Sequence, residues 1–123
     1  MGCDFSTKED YVSALKLLKK SGVVFPVISL GDKGCVVALP NGKVYHFFSS
    51  PIKVVNTVGS GDAFVAGCAV ALSRGAEPIE VIRLGMACGM ANTQFFETGM
   101  VSMELVTKFL ECIQIEFWGV VSQ

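Results

Sequence analysis

The chain has 123 residues, enough for a buried core, of which 51% are hydrophobic and only 17% charged, with a formal net charge of -1. The two arginines, Arg74 and Arg83, lie outside any basic cluster, so the positive stripe that displaces counterions from nucleic acid is missing. The longest apolar stretch, Ala63 to Leu72, is too short to cross a bilayer, and Met1-Gly2-Cys3-Asp4 does not begin a secretory signal.

Taken in order, Ser6-Thr7-Lys8-Glu9 fits a capping box and starts a helix with Tyr11, Leu15 and Leu18 on one face and Gly22 as its stop. Lys16, Lys19 and Lys20 read as its solvated face. Val23 to Leu30 reads as a buried strand, with Pro26 hinting at an edge or a bulge. Cys35 to Leu39 and Lys43 to Phe48 flank Pro40-Asn41-Gly42, a hairpin signal through Asn-Gly. A short strand, Ile52 to Val55, leads into a glycine-rich loop. Helices follow over Asp62 to Ser73, from Glu77-Pro78 to about Phe96, and from Ser102 to about Cys112. Ile113 to Trp118 reads as a final strand. The order implies an α/β layered architecture.

The low charge has two explanations: a sheet buried on both faces, or a surface that a further segment would cover. The second allows self-association through exposed apolar surface. Cys3, Cys35, Cys68, Cys88 and Cys112 are odd in number and have no CxxC spacing, which points to reduced, buried thiols in a cytosolic protein. Met86, Met90, Met100 and Met103 read as core filler, and Phe95, Phe96 and Trp118 as core or interface residues. Gly85 and Gly89, four apart on an apolar helix, suit either close helix packing or room for a ligand ring.

Chemistry concentrates in Val54-Val55-Asn56-Thr57-Val58-Gly59-Ser60-Gly61-Asp62-Ala63-Phe64. A strand feeds a turn with two glycines, and a helix starts at once. First-turn amides point outward unpaired, the helix dipole favours an anion there, and Gly59 and Gly61 let it approach the backbone. No Lys-Ser/Thr pair makes this a Walker loop, Phe64 stands where a dinucleotide fingerprint needs glycine, and Val58 and Asp62 deny a nucleophile elbow around Ser60. Spacing alone leaves Asp62 open between a helix cap and a base for phosphoryl transfer. His46, the one histidine, reads as an ordinary surface or packed residue.

Asn56-Thr57-Val58-Gly59-Ser60-Gly61-Asp62 resembles the second signature of the ribokinase-like, phosphofructokinase-B type carbohydrate kinases, usually Asp-Thr-x-Gly-Ala-Gly-Asp. Ser29-Leu30-Gly31-Asp32-Lys33-Gly34 resembles that family's nucleotide loop, and Ala87-Cys88-Gly89-Met90-Ala91-Asn92 its adenine-pocket helix. The resemblance covers nearly the whole chain and implies a ribokinase-like fold with helices packed on a central sheet, in a single carboxyl-terminal domain over residues 1–123. It assigns Asp62 as base, the amides of Gly59, Ser60 and Gly61 as anion hole, and Ser29, Gly31, Lys33, Gly34 and Asn92 as nucleotide contacts.

The same resemblance implies ATP and a sugar phosphate as ligands, and magnesium held by residues outside this chain. Asn56 in place of the usual aspartate resembles the tagatose-6-phosphate kinase and 1-phosphofructokinase branch and argues against potassium activation. Family members are considerably longer, and their amino-terminal part supplies the sugar pocket. The expectation is therefore a cytosolic fragment that binds nucleotide weakly and does not turn over sugar.

Overall fold

The structure, a computed structural model, describes residues 7–50, 59–94 and 103–121. It comprises two compact units, Met1–Phe48 with Gln114–Gln123, and Ser49–Ile113.

In the first unit, helix α1 (Lys8–Lys20) opens on a capping box one residue later than the sequence suggests. Thr7 Oγ1 accepts from the Asp10 amide at 3.2 Å and Asp10 Oδ2 accepts from the Thr7 amide at 3.3 Å. The shift follows because Thr7 and Asp10 repeat the hydroxyl-x-x-acid spacing of Ser6 and Glu9. The helix stops as expected at Gly22, whose φ is +101°. Gly22 N–H donates to the Lys19 carbonyl and Val23 N–H to the Leu18 carbonyl, a Schellman ending. Leu15 is fully buried with Tyr11 and Val12 beside it, but Leu18 turns outward in the last turn. Lys19 also departs from the expected solvated face, since its Nζ donates to the Leu39 carbonyl at 3.2 Å.

Four antiparallel strands form the sheet in the order β1 (Val27–Ser29), β2 (Cys35–Ala38), β3 (Lys43–Phe48), β4 (Gln114–Val120). α1 packs on the face that carries Val36, Ala38 and Val44. The expected buried strand Val23 to Leu30 is corrected to a three-residue edge strand whose Val27 and Ser29 are exposed. Pro26 sets the limit, because it has no N–H for a ladder and only its carbonyl is used, by the Ala38 amide at 3.1 Å. β2 is buried along its whole length, while β4 is mostly exposed, so two-sided burial is limited to the sheet's interior.

The hairpin forms where expected, but not through a two-residue Asn-Gly turn. Asn41 has no positive φ, which a type I′ turn demands; only Gly42 does, at +90°. Gly42 N–H instead donates to the Leu39 carbonyl at 2.8 Å, and Leu39 N–H to the Lys43 carbonyl at 2.9 Å, around Pro40 and Asn41. Between β3 and β4 the register slips: Val44 faces Gly119 and Tyr45 faces Phe117, leaving Trp118 as the extra residue of a bulge.

The second unit holds α2 (Ser60–Ser73), α3 (Pro78–Asn92) and α4 (Met103–Cys112). The expected strand Ile52 to Val55 and the residues Phe95, Phe96, Met100 and Ser102 lie outside the described residues. α3 ends at Asn92 rather than near Phe96. Thr93 Oγ1 donates to the Met90 carbonyl at 2.6 Å, and the Thr93 and Gln94 amides reach back only three residues, which closes the last turn.

α2 and α3 meet backbone to backbone. A Cβ on Gly67 would lie 3.0 Å from the Gly85 Cα, and one on Gly85 would lie 2.9 Å from the Phe64 carbonyl oxygen and 2.5 Å from Cys68 Sγ. Gly89 is equally close, 3.1 Å from the Ser60 carbonyl oxygen. Both helix glycines therefore serve close packing. Gly85→Ala is expected to cost about 1–3 kcal/mol, the usual range for overpacking, seen as a lower urea midpoint. Gly61→Ala, whose Cβ would meet nothing within 4 Å, should instead leave stability unchanged or raise it by about 0.5–1 kcal/mol.

Arg83 links α3 to α4 by donating to the Leu110 carbonyl at 3.0 Å while gripping Glu80 with its other nitrogen. Not every expected core residue is buried. Met103 and Cys112 are exposed, since each sits at an end of α4 while Val106 and Phe109 take the inner face. α2 is apolar all round, and leaves Val65 at 64% and Leu72 at 59% exposure.

Candidate functional site

The glycine-rich turn becomes the start of α2. Gly59 is the cap residue, with φ +85°, a left-handed conformation that glycine adopts without strain. Its carbonyl receives the Ala63 amide at 2.9 Å, and among the described residues no side-chain hydrogen bond caps the helix at Gly59. First-turn amides have no intrahelical acceptor, so Gly59, Ser60 and Gly61 gather donors at the positive end of the helix dipole.

Gly61 is informative. Its φ is not positive, and an added Cβ would meet nothing within 4 Å among the described residues. Glycine inside a helix costs roughly 0.5–1 kcal/mol against alanine, and among the described residues neither backbone conformation nor packing explains its use here.

Asp62 lies in the first turn of α2 and is exposed. It is not the cap, a place held by Gly59, and no hydrogen bond or ion pair ties its carboxylate to another described residue. The carboxylate is therefore an exposed first-turn acid with no partner among the described residues.

In the same unit Gly89 presses on the Ser60 carbonyl, which brings the last turn of α3 beside the start of α2. Asn92, at the end of that turn, is only 1% exposed, and its side chain is held by protein partners. A nucleotide contact from Asn92 would thus come from an amide already fixed in place. Cys68 and Cys88 flank the glycine crossing. Burial, with Cys88 nearby, pushes the Cys68 thiol up to about 11, and burial raises that of Cys88 too, so both stay protonated thiols near neutral pH.

Ser29, Gly31, Lys33 and Gly34 belong to the other unit. Ser29 ends β1, and Gly31–Lys33 form a 3-10 turn. The Leu30 amide donates to the Gly34 carbonyl at 2.8 Å and the Gly34 amide to that of Gly31 at 3.3 Å, closing the loop on itself. Gly31 and Gly34 have φ of +67° and +89°. The loop is held by a residue that the sequence does not single out: His46 Nε2 lies 2.8 Å from the Lys33 carbonyl oxygen. The hairpin register pairs His46 with Val36, two residues past Gly34, and that pairing is the signal that could have found it.

Among the described residues no group of His, Cys, Asp and Glu could hold a metal ion.

Residues 2–103 match the family model described as pfkB family carbohydrate kinase. A curated relative, the ATP-dependent 6-phosphofructokinase isozyme 2 of Mycobacterium tuberculosis, is 35% identical over 103 residues, 84% of this chain and 30% of its own length. Among solved structures, phosphofructokinase-2 from Escherichia coli, in complex with potassium, aligns with a TM-score of 0.78 at 27% identity, over 88% of this chain and 35% of its own. Ribokinase from Thermotoga maritima aligns with a TM-score of 0.71 at 31% identity, over 80% of this chain and 34% of its own. The chain thus spans about a third of the length of the relatives it matches.

Proposed function

Because this chain belongs to the pfkB family of carbohydrate kinases, we propose that it carries the nucleotide-binding and phosphoryl-transfer part of an ATP-dependent sugar-phosphate kinase. The observation that carries this reading is the start of α2, where a left-handed Gly59, a glycine at position 61 that no described residue crowds and the exposed Asp62 coincide.

In this reading the amides of Gly59, Ser60 and Gly61 receive the charge that grows on the γ-phosphoryl oxygens. The acceptor hydroxyl oxygen bonds to the γ-phosphorus as the bond to the β-phosphate oxygen breaks. ADP leaves, and the hydroxyl proton passes to the Asp62 carboxylate. An ionised carboxylate is a weak base toward an alcohol, yet a loose transition state acidifies the attacking hydroxyl late, when positioning matters most. The resemblance assigns nucleotide contacts to Ser29, Gly31, Lys33 and Gly34 in the first unit and to Asn92 in the second, each unit taken by itself.

The acceptor is a ketohexose phosphate. Asn56, outside the described residues, favours the tagatose-6-phosphate or fructose-1-phosphate type. With a third of the length of its relatives, the chain alone binds nucleotide and does not phosphorylate sugar, and it works in the cytoplasm. A second reading is a nucleotide-binding or assembly module without catalysis, favoured by the exposed Val65 and Leu72 on α2.

Titration with a non-hydrolysable ATP analogue, run beside sedimentation analysis, separates the readings. Saturable binding by the monomer supports a nucleotide-binding part, and self-association without binding an assembly role. Sugar-phosphate phosphorylation by a longer polypeptide that carries this chain separates the kinase part from a non-catalytic binder, and robust sugar-dependent turnover by these 123 residues contradicts the fragment reading.

A further inference from the structure

Two neighbouring residues of β3 hold two neighbouring residues of the glycine loop. The first contact is steric: a Cβ on Gly34 would stand 1.8 Å from the Phe47 carbonyl oxygen, so the loop lies directly on the β3 backbone. The second is polar, between His46 Nε2 and the Lys33 carbonyl oxygen at 2.8 Å. A carbonyl oxygen can only accept, so the ring carries its proton on Nε2 and donates it to the loop.

The His46 ring is itself held on both sides. Phe48 stacks on it at 4.8 Å between centroids with 25° between planes, and Trp118 lies at 4.9 Å and 40°. Trp118 reaches this position because it is the bulged residue of β4. It is fixed in turn by its Nε1–H donating to Glu116 Oε1, by Tyr11 at 6.4 Å and by the Lys8 ammonium 5.5 Å over its ring. An imidazole so clamped has little rotational freedom left, and its hydrogen bond does not need to be ordered at the moment it is used.

We propose that His46 is a positioning residue for the Gly31–Gly34 loop, pinning the Lys33 carbonyl so that the loop is set in one conformation before a nucleotide arrives. The nucleotide half of this inference rests on the reading of that loop given above. The pin itself does not, because it lies wholly within the first unit and is seen without any ligand.

The bond that His46 guards is also a protease site: the pinned carbonyl belongs to the Lys33–Gly34 peptide, which trypsin cuts. His46→Phe keeps a stacking ring and loses the donor, whereas His46→Gln keeps an N–H donor and loses the ring. In the 123-residue chain, His46→Phe should raise trypsin cleavage after Lys33 about two- to tenfold, the range one neutral hydrogen bond supports. Cleavage after the exposed Lys20 and Lys43 should stay unchanged, which also shows that the variant remains folded. Affinity for the ATP analogue should fall by a similar factor, and His46→Gln should recover part of both losses.

Unchanged cleavage after Lys33 in His46→Phe would overturn the pin. Faster cleavage with unaltered analogue affinity would overturn its role in nucleotide binding. A wild-type chain that binds no analogue would instead overturn the functional reading, and with it the nucleotide half of the inference, while the cleavage comparison still decides the pin.

Discussion

Asp62→Asn is expected to lower sugar-phosphate phosphorylation by ~10²–10⁴-fold, the contribution of a positioned acid or base, in a longer polypeptide that carries this chain and turns over. The substitution keeps the size of the side chain and removes its capacity to accept a proton. ATP affinity should change little, because the helix-end amides proposed to face the phosphates belong to the backbone and survive the change. Removing a negative charge beside a polyanion can only favour its binding. The signature is therefore a fall in kcat at nearly constant KM for ATP. If proton removal comes late in a loose transition state, the loss falls toward the lower end of the range. Near-normal turnover would reassign Asp62 to a structural place at the helix start.

Gly34→Ala is expected to be the most destabilising single methyl in the described chain, costing at least about 3 kcal/mol. Two effects coincide at this position. The backbone, with φ +89° and ψ -137°, lies where side-chain-bearing residues are strained. The added carbon would also meet the Phe47 carbonyl oxygen at 1.8 Å, a backbone atom that cannot rotate away. Either the loop lifts off β3 or the strand bends. Urea unfolding followed by far-ultraviolet circular dichroism measures the loss. An unchanged midpoint would mean that the loop stands off Phe47 in solution.

What could be read in advance follows from how local each signal is. The ribokinase-like α/β class, the hairpin around Asn41-Gly42, the stop at Gly22 and the strand at the carboxyl end were legible because each depends on a few consecutive residues. The turn type was not, since Pro40 ahead of Asn41 lets the carbonyl of Leu39 close the turn with Gly42 alone left-handed. The length of β1 was missed because a β-branched run looks the same whether or not it is paired, and Val23 and Val24 lie beyond the reach of the ladder.

At the candidate site the helix start was legible from glycine spacing, whereas the spacing of Gly85 and Gly89 left close packing and room for a ligand ring both open. The exposure of Asp62 and burial of Asn92 depend on packing across helices, which no local pattern encodes. His46 was passed over for the same reason: its importance comes from strand register and from a bulge that delivers Trp118 from far along the chain.

The glycine crossing of α2 and α3 leaves main-chain atoms and the Cys68 and Cys88 sulfurs as the spacer between the two helices. The interval from the Gly59–Asp62 turn to the Gly89–Asn92 turn is therefore set by close contact at this crossing rather than by the side chains of the outer face. Substitutions on the outer face of α2 can drift through many apolar or polar choices without rescaling that interval, so a changed neighbour on this face need not retune the chemistry next to it.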